Sequence, residues 1–292
     1  MKSHELNPLY TNPNRHESLR TTALCLTALL SLFIIALGCG GSGSSTTIVV
    51  TTLTDAPQSP EGETTLRKAL EEVPEDGVIV FDASLDGGTI DLSVVGDEHS
   101  TLKGEVWTMD MDTHQWVYGG YQDRDYGRSA LYAAKDVVIN ASDLPNGITL
   151  NWAGTGDARI LAVLGDLTMF NVSVIGGRST AEELEGDQPY TLARGAGLAV
   201  WGTCALYGCE VGNNTATADI NPSRDRSAFG GGIYTDTALL YDCVISGNSA
   251  YGYGAAGGGV YSIGGMQTDT NTIVERCAVS GNHVWGQHAY GG

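Results

Sequence analysis

Three times in its last third the chain repeats one phrase: a glycine cluster, an apolar pair, then a cysteine five residues before an asparagine. The copies are Gly195-Ala196-Gly197-Leu198 with Cys209 and Asn214, Gly230-Gly231-Gly232-Ile233-Tyr234 with Cys243 and Asn248, and Gly257-Gly258-Gly259-Val260-Tyr261 with Cys277 and Asn282. The cysteines are 34 residues apart each time. Units of this length cannot bury an apolar face alone and must stack on one another. From the apolar residue after the glycines to the cysteine is 11, 10 and 17 residues in successive copies, and from that cysteine to the next apolar marker is 24 and then 17. Fixed inner segments joined by connections of variable length describe short strands stacked coil on coil.

The inner segments have strand periodicity. Leu239, Tyr241, Cys243 and Ile245 alternate with Leu240, Asp242 and Val244, and Ile273 to Val279 repeats the pattern. Period two means strand, and no helical stripe follows residue 75. The expectation is an all-β fold: a parallel β-helix, or solenoid, coiled right-handed as crossovers between parallel strands almost always are. Equivalent residues then stack. Cys209, Cys243 and Cys277 form an inward ladder, since cysteine is small, apolar and often buried. Asn214, Asn248 and Asn282 sit at turns, with Gly247 and Gly281 easing the bend and amide-to-amide bonds joining the coils. This stacking rationale needs no ligand.

Composition agrees. The chain has 40 glycines in 292 residues and a net charge of −19. Glycine is thus nearly double its ordinary share of ~7%. Such acidity opposes nucleic-acid partners and electrostatic docking to anionic lipid. Lys2, Arg15 and Arg20 precede an uncharged run of seventeen residues, Thr21 to Leu37, which is followed by Gly38-Cys39 and a Gly/Ser stretch. A run shorter than the ~20 residues of a spanning helix fits the core of a signal peptide. The segment resembles a bacterial lipobox, which implies lipidation at Cys39 after a leader at 1–38, a tether at 39–46 and, in a Gram-negative host, outer-membrane sorting. A signal-anchor helix and plain secretion are the alternatives. Removing residues 1–38 takes three basic and two acidic residues, leaving −19 − (+1) = −20. Cys204, Cys209, Cys243 and Cys277 then remain beside Cys39; export permits disulfides, but ladder spacing favours reduced stacked thiols, with Cys204 and Cys209 the one local pair. Their spacing is not that of a zinc site.

Residues 47–92 have a different grammar and are expected to form an α+β cap over the first coil. Thr47 to Leu53, Val78 to Phe81 and Thr89 to Leu92 read as strands. Leu66, Ala69, Leu70 and Val73 share one face of a short helix capped by Thr64 or Thr65 and ended by Pro74. Here Thr52-Leu53-Thr54-Asp55, Thr64-Thr65-Leu66-Arg67-Lys68-Ala69, Val80-Phe81-Asp82-Ala83-Ser84-Leu85 and Gly88-Thr89-Ile90 follow a known order. They resemble the N-terminal module of bacterial surface parallel β-helix proteins that carry a Cys-Ser-Leu-Arg-Glu-Ala signature. Thr64, Thr65 and Lys68 depart from it. Val137-Val138-Ile139, Ala141 to Leu150, Arg159-Ile160-Leu161 and Asn171 to Gly177 are similar to the same family, and the repeats resemble those of polymorphic outer-membrane proteins. The likeness runs over about residues 46–292, and it implies a pectin-lyase-like fold without fixing one activity.

Residues 93–131 interrupt this order as a lateral insertion, with coils resuming over 132–292. Val106 to Met109 and Gln115 to Tyr118 read as a hairpin turning at Asp112-Thr113-His114. Trp107 and Trp116 are candidate sugar-stacking residues, because flat aromatic faces pack on apolar sugar faces; the alternative is a flap packed on the coil. Asp110, Asp112 and His114 offer oxygen and nitrogen ligands but lack a calcium-loop glycine. The fold hosts lyases and hydrolases, yet fold is not function. Acids in the repeats occur singly at Glu210, Asp236, Asp242, Asp269 and Glu275, Arg224-Asp225-Arg226 reads as a solvated loop, and His283 and His288 lack an evident partner. No catalytic residue, metal or cofactor is assigned. Gly291-Gly292 repeats the opening glycines of a fourth copy, so a C-terminally truncated surface protein is expected. The functional expectation is a membrane-anchored surface module, an adhesin, glycan-binding protein or stalk, whose partner is a polysaccharide or another cell-surface component and not nucleic acid. A polysaccharide lyase or glycoside hydrolase and a passive spacer are the rivals.

Overall fold

Apart from one antiparallel hairpin, the strands pair in parallel from coil to coil, so the sheets run across the chain order. A computed structural model describes residues 46–75, 77–97, 102–110, 115–124, 127–181, 190–218, 225–264 and 272–291, all within the compact unit Ser45–Gly292. They form a parallel β-solenoid of about 6 turns. Three stacks enclose its main body. The first stack runs through Thr47–Val50, Val78–Phe81, Val137–Asn140, Leu167–Phe170, the C-terminal halves of Leu198–Tyr207 and Ile233–Tyr241, and Ile273–Glu275. The second contains Thr89–Leu92, Ile148–Trp152, Val172–Ile175, Glu210–Gly212, Val244–Ser246 and Ala278–Ser280. The third joins Ser129–Ala133 and Arg159–Val163 to the N-terminal halves of the two long strands and to Val260–Ser262.

From Arg178 onward each coil gains two further strands. Arg178–Thr180, Thr215–Thr217, Ser249–Tyr251 and His283–Trp285 form one wall. Tyr190–Arg194, Asp225–Phe229, Gly254–Ala256 and His288–Tyr290 form the other. Asp225 and Arg226 thus open a strand, where the sequence suggested a loop. These two walls make a fin with its own core of Ala193, Ala196, Ala216, Ala218, Ala228, Ala250 and Ala255. The body core, in contrast, is filled by Leu, Ile and Val. A buried aliphatic side chain contributes about 1.5–3 kcal/mol, an alanine methyl far less. The fin therefore leans on its backbone ladders and on the body.

The corners explain the repeat pattern. Left-handed backbone occurs in columns: Gly147, Asn171, Gly208, Asp242 and Arg276 between the first and second body faces, Gly176, Asn213, Gly247 and Gly281 before the fin, and Gly195, Gly230 and Gly257 after it. The bend expected at Asn214, Asn248 and Asn282 therefore falls one residue earlier, which frees the asparagine side chains to bond across coils. The alternation also shifts. Ala238 and Leu240 point inward with Cys243 and Ile245, whereas Leu239 and Tyr241 lie on the outer face. Asp242 (φ 55°) turns the chain between two sheets and moves the phase by one residue.

At the N-terminal end, Thr47–Val50 and Val78–Phe81 are members of the same sheet as the repeats. The helix Leu66–Glu72 buries Leu66, Ala69 and Leu70 in the body core. Thr65 caps it by accepting from Lys68 N at 3.2 Å, and Lys135 Nζ donates to the carbonyls of Glu71 and Val73 at its other end. Leu102–Asp110 and Gln115–Arg124 pair antiparallel, with Trp107 opposite Tyr118 and Trp116 opposite Met109. The residues expected at the tip of this hairpin, and the segment holding the uncharged run and Cys39, lie outside the described residues. Among the described residues no helix is long and apolar enough to cross a membrane.

Candidate functional site

The asparagine column stands at the waist between body and fin. Asn214 Nδ2 donates to Asn248 Oδ1 and Asn248 Nδ2 to Asn282 Oδ1, each at 2.9 Å. The second amide hydrogen of each reaches a body carbonyl of the preceding coil: Val174 at 3.1 Å, Val211 at 2.8 Å and Ile245 at 2.8 Å. Each Oδ1 also accepts a backbone N–H, from Gly177 (2.8 Å), Asn214 (3.1 Å) and Asn248 (3.0 Å). Asn214 and Asn248 are wholly buried, and their polar atoms are satisfied by the coils around them.

The glycine clusters press against this column from the opposite wall. A Cβ on Gly232 would meet the Asn248 amide carbon at 2.9 Å, and one on Gly197 would meet Asn214 Nδ2 at the same distance. The first glycine of each cluster carries the left-handed turn, and a Cβ on Gly230 would come within 2.1 Å of the Ile233 carbonyl oxygen. Glycine cluster and distant asparagine are thus two halves of one construction, in which the walls close to backbone contact.

The cysteines lie inside the body. Cys209 and Cys243 are buried, Cys277 in the last coil is half-buried, and all are free, as is Cys204. Cys204 is in register with Leu167 and Ala238 in a different column. Weak S–H bonds run from Cys209 to the Met169 carbonyl (3.5 Å) and from Cys243 to that of Tyr241 (3.2 Å). Burial pushes the Cys209 thiol up to about 11 and the Cys243 thiol to about 12, and it raises Cys204 further still. Thiols held protonated in this way are not nucleophiles.

Several acids serve the corners. Asp136 Oδ1 accepts from Asp166 N at 2.8 Å, and Asp166 Oδ1 accepts from Thr203 N at 2.7 Å. Asp86 holds both the backbone and the side-chain N–H of Asn146. Asp242 makes a bidentate bond to Arg276 at 2.7 and 2.8 Å, which lowers the Asp242 carboxyl and raises the guanidinium. Asp55 and Arg67, from the motifs that resemble the surface β-helix module, form an ion pair of 2.6 Å with side chains only 2% and 10% exposed. Asp55 Oδ2 also accepts from Ser93 and Val94, and Arg67 donates to the carbonyls of Ala130 and Val94. This pair fastens the helix and its preceding loop to the base of the insertion. No group of three or more metal-ligating side chains gathers among the described residues.

Aromatic residues form columns of two kinds. On the first body face Phe170, Tyr207 and Tyr241 stack nearly parallel, with centroids 4.9 and 5.3 Å apart and interplanar angles of 12° and 5°. Their faces cover one another. Burial and the neighbouring Tyr241 raise the Tyr207 hydroxyl. The second group sits where fin and body meet. Arg194 and Phe229 end their fin strands just before the glycine corner, while Tyr234 and Tyr261 follow it on the body wall, so the reversal sets them side by side. Arg194 Cζ lies 4.9 Å from the Tyr234 ring centroid. Phe229 and Tyr261 are 4.7 Å apart at 35°, Tyr234 and Tyr261 5.8 Å apart at 13°, and Trp201 and Tyr234 6.2 Å apart at 55°. Tyr234 is buried; Arg194, Phe229, Tyr261 and Trp201 are half-buried. Half-buried Asp236 stands at the same corner, its carboxyl raised by burial, eased downward by Arg194 and raised again by Asp166. Sequence reading passed over this cluster because its members are scattered over Arg194 to Tyr261 and share no motif; only the apolar-aromatic steps Ile233-Tyr234 and Val260-Tyr261 after the second and third glycine clusters hinted at it. Side chains of Trp107 and Trp116 lie outside the described residues.

Comparison with protein-family models, with curated proteins and with solved structures finds no match for this chain.

Proposed function

We propose that this solenoid is a non-catalytic surface module, an adhesin-like stalk that holds polysaccharide. The observation that carries the reading is the outer side of the second body face. In register along it run Thr89, Thr149, Ser173, Glu210, Val244 and Ala278, and beside them Asp91, Asn151, Ile175, Gly212, Ser246 and Ser280. A flat parallel face on which Thr, Ser, Asn, Asp and Glu recur, with Ile175, Val244 and Ala278 among them, gives an extended polymer hydroxyl, amide and carboxylate partners at the rung spacing of ~4.8 Å. The corner acids support the same reading, since Asp136, Asp166 and Asp86 already hold backbone N–H groups of the next coil. Export and lipid anchoring at Cys39, with outer-membrane placement, complete the proposal through the likeness of residues 35–45 to a lipobox. The resemblance to surface β-helix and pectin-lyase-like proteins supports the same setting.

The test is incubation of the chain with acidic and neutral polysaccharides, with and without calcium, following both polymer cleavage and retention of the protein. Retention without cleavage is expected. Cleavage of any polymer would replace the reading with that of a lyase or hydrolase, and neither result would leave a spacer.

A further inference from the structure

We infer that the outer side of the first body face is a docking surface for a second copy of this chain. The inference is independent of the polysaccharide reading, which uses the second body face.

Two outward columns run up the first face, two residues apart on every rung. One holds Val49, Val80, Phe170, Tyr207 and Tyr241, with Asn140 and Glu275 in the same register. The other holds Val78, Val138, Ala205, Leu239 and Ile273, with Thr47 and Thr168. Ten of these fourteen positions are apolar or aromatic, and only Glu275 is charged, in a chain whose net charge is −19. None of the ten belongs to the body core. Val49 and Ile273 are 42% and 39% exposed; Ala205 is buried among its neighbours and the other seven are half-buried. Apolar residues on both sides of a parallel strand are the pattern of a sheet covered on both faces. The chief packing partners of these strands among the described elements are their neighbours in the same sheet.

Three features select a second copy as the occupant. First, the face is self-complementary in shape. Successive rungs set a ring beside a smaller side chain: Phe170 beside Thr168, Tyr207 beside Ala205 and Tyr241 beside Leu239. A two-fold axis parallel to the solenoid axis turns one face onto the other and exchanges the columns. The rings of each copy then stand over the low column of the other, an isologous contact between sheets packed ~10 Å apart. Second, the rings of Phe170, Tyr207 and Tyr241 lie nearly parallel, at 12° and 5°, and cover each other's faces. Their edges suit packing between protein side chains and leave no ring face for a sugar. Third, the face offers no cation to an anionic lipid or an acidic partner, and a single carboxylate to a basic one. Two strongly acidic copies meet with least repulsion where charge is lacking.

Size sets the strength. Seven rungs at ~4.8 Å make the face about 29 Å long. Its fourteen outward positions fall short of the ~20–30 residues a side of a standard interface, so the dimer is weak and reversible.

The experiment is sedimentation velocity of the full-length chain under reducing conditions over a range of concentrations. A monomer–dimer equilibrium with a Kd of about 1–100 μM is expected, as for a contact at the low end of interface size. Added salt should tighten it, because screening relieves the repulsion between two acidic copies. Leu239→Glu places two carboxylates in each dimer interface and should weaken association about tenfold or more, as for a central interface residue. Thr217→Glu puts the same charge on the fin wall and should leave the Kd unchanged. Far-UV circular dichroism confirms the fold of each variant, and Val138→Glu serves if Leu239→Glu does not fold. A chain that stays monomeric throughout, or a dimer that ignores both Leu239→Glu and Val138→Glu, would overturn the inference. So would a dimer that salt weakens. Binding to phosphatidylcholine vesicles that Leu239→Glu abolishes, with no dimer in solution, would give the face to a lipid surface and overturn it as well.

Discussion

Replacing Asn248 by alanine tests the waist most severely. The side chain donates two hydrogen bonds, to Asn282 Oδ1 (2.9 Å) and the Val211 carbonyl (2.8 Å), and accepts two, from Asn214 Nδ2 (2.9 Å) and Asn214 N (3.1 Å). All four lie at a residue with no solvent exposure. Each bond contributes about 1 kcal/mol net, and a buried N–H left without an acceptor costs about 1–3 kcal/mol more. Asn214 N is such a group, so Asn248→Ala should destabilise the solenoid by about 5–7 kcal/mol. For a unit of this size ~1 kcal/mol corresponds to about 2–4 °C, which places the expected fall in Tm at about 10–28 °C. Asn213→Gly is the control: Asn213 is the exposed, left-handed neighbour (φ 56°), and glycine suits that backbone, so the change should be neutral within about 0.5 kcal/mol. Urea titration followed by circular dichroism measures both. A loss below about 1 kcal/mol for Asn248→Ala would mean that the bonds are replaced by water, and the reasoning about a dry waist would fail.

Three further outcomes are expected. Gly230→Ala should cost about 3 kcal/mol, because φ is 64° and the new Cβ would meet the Ile233 oxygen at 2.1 Å; an unchanged urea midpoint would contradict this. Asp55→Ala leaves Arg67 buried without its carboxylate and should destabilise by about 3–5 kcal/mol, read by the same titration, with a loss under ~1 kcal/mol showing that the pair is dispensable. Cys209 and Cys243, pushed up to about 11 and about 12, should resist alkylation in the folded chain at pH 8 and react in urea. Their folded values exceed the unfolded ~8.5, so the folded state keeps its protons longer: the stability contributed is full below pH ~8.5 and is lost as pH rises through about 11 and 12. Alkaline unfolding curves that show no loss above pH ~8.5 would count against buried thiols.

The architecture was legible in the sequence wherever stacking repeats a residue type. Cys209, Cys243 and Cys277, spaced by 34 residues, announce coils in register, and Gly247 and Gly281 mark a corner. Thr65, the face through Leu66, Ala69 and Leu70, and Pro74 delimit the helix by ordinary capping chemistry. The fin was not legible. Its strands are three to five residues long, and alanines such as Ala216, Ala250 and Ala255 give no apolar alternation to read. The shifted phase at Asp242 was hidden for a different reason. Nothing local distinguishes a residue that continues a strand from one that turns a corner when the side chain is aspartate, which tolerates left-handed backbone. The Asp55–Arg67 pair joins segments whose sequences say nothing of each other, and the Arg194–Trp201–Tyr234–Tyr261 corner exists only once the glycines fold the fin against the body.

The central claim is that the asparagines of the repeats are consumed by bonds between coils and not displayed to a ligand. Hydrogen exchange of the Asn214 and Asn248 side-chain amides, followed by NMR on the folded chain, tests it directly. Both carboxamides should exchange only through large-scale unfolding, as slowly as the core amide of Val211 between its two neighbouring strands. Exchange of either carboxamide at the rate of an exposed asparagine such as Asn213 would contradict the claim.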